Sequence, residues 1–190
     1  MLLALGVTIV VAAGVWLAWL GLRRPPHGFA RPFPAYGTIA WLALALCEVL
    51  LALRVPSVTS FFTALAWTFY IAGVDALVYR KRGDSMLHHP AAFTAMALLS
   101  IPSWLIFEAY NLWLRNWVYV GVPPGFWDFA MGACWAFATI TPGILETADL
   151  ILAGTAEHWR CAPWRLRAPK AVAIGGAICL ILPLLLPRAA

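Results

Sequence analysis

The chain has 190 residues, of which 63% are hydrophobic and only 11% charged, with a mean hydropathy of +0.84. Soluble domains are about half apolar and about a quarter charged, so the composition excludes a soluble fold and leaves no room for a separate soluble domain. At about 20 apolar residues per crossing the length admits roughly five to seven membrane helices, and the net charge of +5 reads as loop charge rather than as a nucleic-acid footprint.

Six hydrophobic stretches lie between breaks of Pro, Gly and charge: Leu2 to Leu22, Tyr36 to Leu53, Thr59 to Tyr79, Ala91 to Leu114, Phe126 to Ala153 and Ala171 to Leu186. The first lacks a basic leader and a small-x-small cleavage site before Arg23, so it reads as a retained helix rather than a signal peptide. The expected fold is all-α, one polytopic transmembrane bundle of about six spans covering residues 1–190. The fifth stretch is long and carries Pro142-Gly143, which predicts a tilted or broken helix.

Lys and Arg alternate between the loops. Arg23, Arg24 and Arg31 fall in the first loop, Arg80, Lys81 and Arg82 in the third, and Arg160, Arg165, Arg167 and Lys170 in the fifth. The second and fourth loops carry only Arg54 and Arg115. By the positive-inside rule the odd loops face the cytoplasm and both termini face outward, as in a protein of the cell inner membrane. The basic loops are expected to meet anionic lipid headgroups.

Five acidic residues interrupt the apolar runs. A charged side chain at the bilayer centre costs about 2.5–3.5 kcal/mol on insertion scales, so such groups face the bundle interior and find partners. Chain direction sorts them into two layers. Glu48 and Glu108 belong to an outer layer, and Asp75, Glu146 and Asp149 to an inner one. Glu108, Asn111 and Arg115 share a helical face, with Trp104 and Tyr119 on the same side if the helix continues. On that spacing Arg115 either neutralises Glu108 locally and snorkels to the interface, or joins it in a ligand or proton site with Asn116 nearby. In the inner layer Glu146 and Asp149 are three apart, Thr139 lies near the same face, and Asp75 stands one turn before Tyr79. Pairing with one of the arginines at 80–82 would make this layer architectural; carboxylates beside a broken helix would instead suit ion or substrate binding.

Other chemistry is sparse. The cysteines Cys47, Cys134, Cys161 and Cys179 have no metal-ligand spacing and read as buried free thiols. His27, His88, His89 and His158 fall in the basic loops without a metal-binding pattern, so no metal is expected and they read as solvated or headgroup-contacting. Neither a Walker A, GxGxxG nor GxSxG motif occurs, and no cofactor is implied. Trp104, Trp113, Trp117, Trp127, Trp159 and Trp164 suit an interfacial aromatic belt. "FEAYNLWL" and "LETADLIL" share a pattern, but they lie on consecutive helices in a Leu-rich chain and read as a chance match.

"FEAYNLWLRNWVYVG" (Phe107 to Gly121) resembles the motif FE-x-x-N-x-x-x-x-NW-x-Y-x-G of a poorly characterised family of prokaryotic multi-spanning membrane proteins, and "FATITPGILETADLI" (Phe137 to Ile151) resembles the segment that follows it there. The match covers about a quarter of the chain. It implies membrane location and that Glu108, Asn111, Asn116, Trp117 and Tyr119 act together. Members continue past the point matching Ala190, which implies that this chain is a shorter version lacking a final span.

Three functions fit these residues. A structural or accessory subunit of a membrane complex, the leading expectation, uses the carboxylates only to pair helices with a protein partner. A small proton-coupled transporter uses Glu108 and Glu146 as alternately protonated sites. A lipid- or isoprenoid-modifying enzyme uses Glu108 with Asn111 and Asn116 as an acid/base site.

Overall fold

A computed structural model describes residues 2–23, 31–155 and 168–185 of the protein. The described residues form six α-helices and one 3-10 turn. The helices are α1 (Leu2–Leu22), α2 (Ala35–Ala52), α3 (Pro56–Arg82), α4 (Pro90–Leu114), α5 (Phe126–Thr155) and α6 (Pro169–Leu185), and the 3-10 turn is Met86–His88. Helices α2 to α5 are each long and apolar enough to cross a bilayer, while α1 and α6 contribute the shorter apolar stretches Val11–Leu22 and Pro169–Pro183. The chain is thus a multi-spanning helical membrane protein. Arg24, His27, Trp159, Arg160, Cys161, Trp164, Arg165 and Arg167 lie outside the described residues, as does His158.

The helix boundaries have local causes. Pro56 and Pro90 open α3 and α4, where the missing N–H is one that no helix would have used. Helix α3 runs on through Arg80, Lys81 and Arg82, so the third basic cluster is helical rather than loop. It stops at Gly83, whose φ of 78° permits the left-handed cap and whose N–H returns to the Tyr79 carbonyl at 2.7 Å. That cap sends the chain back along α3 and presses residues 85–88 against it.

Helices α3 and α5 form the centre, flanked by α2 on α3 and by α4 on α5; α1 packs on both, and α6 lies against α4. Val74, Val78 and Leu150 make the core, with Trp41, Tyr70 and Leu77 packed around them. Large apolar side chains such as Leu42, Leu46, Leu98, Leu99 and Ile106 are more than half exposed, the distribution expected when hydrocarbon rather than water surrounds the bundle. Helix α5 is continuous across Pro142-Gly143, so of the expected tilt or break the break does not occur. Pro142 is buried, and the nearby ladder is supported from outside. Ser100 of α4 donates its hydroxyl to the Phe137 carbonyl at 2.6 Å and accepts from the Thr141 N–H at 3.2 Å. Gly143 has a packing role as well, since a Cβ there would lie 2.4 Å from Cζ3 of Trp67.

Candidate functional site

The inner carboxylates meet where α3, α5 and the start of α2 converge. Asp75 is fully buried and is hydrogen-bonded on both oxygens. Tyr36, on the first turn of α2, donates its hydroxyl to Oδ2 at 2.6 Å, and Ser85 donates to the same oxygen at 2.9 Å. The Leu87 backbone N–H donates to Oδ1 at 2.8 Å. Two of these three donors come from the segment that the Gly83 cap turns back. Local sequence chemistry thus builds half of the Asp75 site.

Ser85 Oγ also lies 2.8 Å from Nδ1 of His88. A serine hydroxyl carries one hydrogen, which here goes to Asp75, so Nδ1 is the donor in the second contact. The His88 ring is stacked on Tyr79, with centroids 4.5 Å apart and planes 6° from parallel. An unbroken hydrogen-bonded row therefore runs from an exposed imidazole through a buried serine to a buried carboxylate. Its neighbour His89 is engaged differently, with Nε2 3.0 Å from the exposed Asp84 carboxylate. That hydrogen bond, with a second from the Ser85 N–H, holds the Asp84 carboxyl below its ordinary value.

Glu146 faces the same centre from α5. It is fully buried, and neither carboxyl oxygen has a hydrogen-bond partner among the described residues. Its electrostatic neighbours are Asp75 and Asp149, both acidic. The nearby cations are directed elsewhere. Lys81 donates from Nζ to the Arg23 carbonyl at the end of α1 at 2.7 Å, and Arg31 lies over the Tyr79 ring at 5.9 Å. Arg82 pairs with Asp149 at 3.1 Å, with both side chains about two-fifths exposed. Of the two inner acids on α5, only Asp149 thus meets an arginine of the 80–82 cluster. Thr139 stands apart from the cluster and donates to the Ala136 carbonyl of its own helix at 2.7 Å.

The outer layer is arranged differently from its spacing. Helix α4 ends at Leu114, and Arg115 is its cap with a left-handed φ of 53°, so the face expected to carry Glu108, Asn111 and Arg115 stops short of the arginine. No ion pair joins Glu108 and Arg115 among the described residues. The partner of Glu108 is Tyr119, whose hydroxyl donates to Oε1. Burial and this carboxylate push the Tyr119 hydroxyl above its ordinary value, which keeps it a donor. The Asn111 side-chain amide grips the Trp117 backbone in both directions, donating to its carbonyl at 2.9 Å and accepting its N–H at 3.0 Å. Asn111 thereby folds residues 115–119 back over α4. Asn116 is exposed on this returning segment.

Beneath the segment lies a cavity of about 460 Å³ between α3, α4 and α5, lined in part by Glu108, Trp104, Trp117 and Tyr119. Glu48 does not share it. Glu48 borders a separate shallow cleft of about 280 Å³ with Trp67 and Tyr70. Tyr70 is fixed by Thr147 of α5, their hydroxyls 2.7 Å apart.

Sequence reasoning missed Tyr36, Ser85 and His88. The available signals were a tyrosine opening α2 at the depth of Asp75 and the Ser-x-x-His spacing after Gly83. No family model matches the chain, and neither a curated protein nor a solved structure is similar enough to it to lend a function.

Proposed function

We propose that the chain is a small proton-coupled carrier in which Asp75 and Glu146 together hold the coupling proton. The observation that carries this reading is Glu146, fully buried with neither oxygen hydrogen-bonded among the described residues and with a second carboxylate beside it. Two carboxyl groups sharing one low-dielectric site hold a proton between them far more readily than two charges. Asp75, with three donors, is set up as the charged member; Glu146, with none, is set up to take the proton. A carboxylate used only to pair helices would be expected to have a cation or donor, and among the described residues Glu146 has no ion pair and no donor within hydrogen-bond distance.

His88 supplies the route. A proton taken up at Nε2 of its exposed ring displaces the Nδ1 hydrogen to Ser85 Oγ, and the Ser85 hydrogen moves to Asp75 Oδ2. His88 is left as the Nε2–H tautomer, one proton has reached the pair, and atoms and charge balance. Among the described residues the charged and titratable groups around the pair are Tyr36 from α2, Lys81 and Arg82 from α3, Asp149 from α5 and His88 from the turn, and Glu146 makes no ion pair with these cations. Six spans with both termini outward, as the Lys and Arg alternation supports, would place His88 on the cytoplasmic side of the inner membrane and the Glu108 cavity on the other. The basic residues near His88 would then lie at the level of anionic headgroups.

The test is transport by purified protein in proteoliposomes. Glu146→Gln and Glu108→Gln are each expected to abolish proton-coupled flux while both variants still insert and purify. Full flux in both would reject the assigned proton site, and no flux in the wild type would reject the carrier.

A second reading, an accessory subunit of a membrane complex, is favoured by one observation: Glu48 is exposed on the side of α2, a membrane-length helix. A carboxylate there favours a protein neighbour over lipid. Native purification recovering a stoichiometric partner, lost in Glu48→Leu, would support it; a monomer in native lipid discs would count against it. The enzyme reading draws less support, because the Asn111 amide is already committed to the Trp117 backbone.

A further inference from the structure

We infer that the cavity beside Glu108 binds a hydrophobic organic cation, a quaternary ammonium or phosphonium centre carried on an apolar body. Its volume of about 460 Å³ falls in the range of roughly 300–1,000 Å³ that holds small organic ligands. Six of its sixteen lining residues are aromatic, among them Phe61, Trp104, Trp117, Tyr119 and Phe129, and Glu108 is the one charged side chain in the lining. Aromatic faces attract cations through the ring quadrupole, most strongly where water is excluded. A single carboxylate supplies the counter-charge. An anionic ligand would find no basic side chain on this lining, and a neutral amphiphile would use the rings but leave the Glu108 carboxylate without a counter-charge.

The site is also built to present that carboxylate. Tyr119 occupies Oε1 of Glu108, which fixes the group and leaves Oε2 for the ligand. Tyr119 and Trp117 reach the cavity only because Asn111 holds their backbone over α4. Phe129, whose ring meets Tyr119 at 6.1 Å and 62°, joins the lining from α5.

The inference deepens the carrier reading by naming its cargo class, and rests on it only for that. Binding itself is independent of Asp75 and Glu146. Ser60 of the cavity and Asp75 are fifteen residues apart on α3, about 22 Å at helical rise.

The experiment titrates purified protein in mild detergent with tetraphenylphosphonium and, in parallel, with neutral triphenylphosphine oxide. Quenching of tryptophan fluorescence and equilibrium dialysis report binding. The wild type is expected to bind the cation saturably at one site, with the neutral compound about tenfold weaker or more. Glu108→Gln is expected to bring the two affinities together, and Trp104→Leu to weaken the cation selectively. Equal affinities in the wild type, or no binding of either compound, overturn the assignment; the former identifies a neutral amphiphile site instead. If Glu108→Gln does not fold, the wild-type comparison decides alone. Glu146→Gln separates this inference from the carrier reading: a variant that keeps both cation binding and full flux rejects the proton site and leaves the cargo class standing.

Discussion

Glu146→Gln separates a proton-holding carboxyl from an architectural one by stability alone. On the proposed reading Glu146 is the protonated, neutral member of the pair, with no hydrogen-bond partner on either oxygen among the described residues. Glutamine is nearly isosteric with a neutral glutamic acid, so the exchange strands no partner, and the expected change is about 1 kcal/mol or less. Were Glu146 instead a charge held by a buried cation, removing its charge would strand that partner and cost about 3–5 kcal/mol. Asp75→Asn provides the contrast within the same cluster. It converts an oxygen that accepts from Tyr36 and Ser85, or the one that accepts from the Leu87 N–H, into a donor facing donors. That change is expected to destabilise by about 1–3 kcal/mol per stranded group. Reversible denaturation in mixed detergent micelles, followed by tryptophan fluorescence, measures both variants. Glu146→Gln within about 1 kcal/mol of wild type and Asp75→Asn clearly below it is the expected pair of results. A loss of about 3 kcal/mol or more in Glu146→Gln refutes the reasoning.

The other predictions probe the route, the packing and the topology. Ser85→Ala and His88→Phe each interrupt the row to Asp75, the second while keeping a ring to stack on Tyr79; proton uptake measured by a pH dye after a rapid pH jump should slow at least about tenfold, and unchanged uptake would remove His88 from the route. Gly143→Val forces a side chain into Trp67 and should destabilise by about 1–3 kcal/mol, with Trp67→Leu restoring part of the loss in the double variant; additive losses would show that the two do not meet. Asp84→Cys in a cysteine-free background should react with a membrane-impermeant maleimide only from the cytoplasmic side, and labelling from the other side would reverse the orientation.

Much of the helical layout was legible because each boundary has a local cause. Pro56, Pro90, the Gly83 cap and the apolar run lengths set where helices start and stop, and the choice of fold class needed little beyond composition. The sites were less legible, for reasons specific to individual residues. The stripe joining Glu108 to Arg115 assumed that α4 keeps its phase, yet the helix ends at Leu114 and Arg115 takes a left-handed conformation. The carboxylate then meets Tyr119, eleven residues on and beyond the helix, a distance periodicity cannot see. A break at Pro142, one of the two outcomes expected there with tilt the other, assumes an isolated helix, whereas Ser100 on α4 bonds to both sides of the ladder there. His88 read as a solvated loop residue because its partner Ser85 is pressed against Asp75 only by the reversal at Gly83. Tyr36 is neither charged nor part of a motif, and its role depends on α2 lying beside α3. Of the residues named by the motif, Tyr119 bonds to Glu108 and Asn111 to the Trp117 backbone, while Asn116 is exposed.

The central claim, a proton held between Asp75 and Glu146 and reachable through His88, is tested most directly by infrared difference spectroscopy of the protein in lipid. At neutral pH the wild type should show the carbonyl stretch of a protonated carboxylic acid that shifts promptly in heavy water, absent in Glu146→Gln and slow to exchange in Ser85→Ala. A wild type without that band, or a band that survives unchanged in Glu146→Gln, would contradict the account.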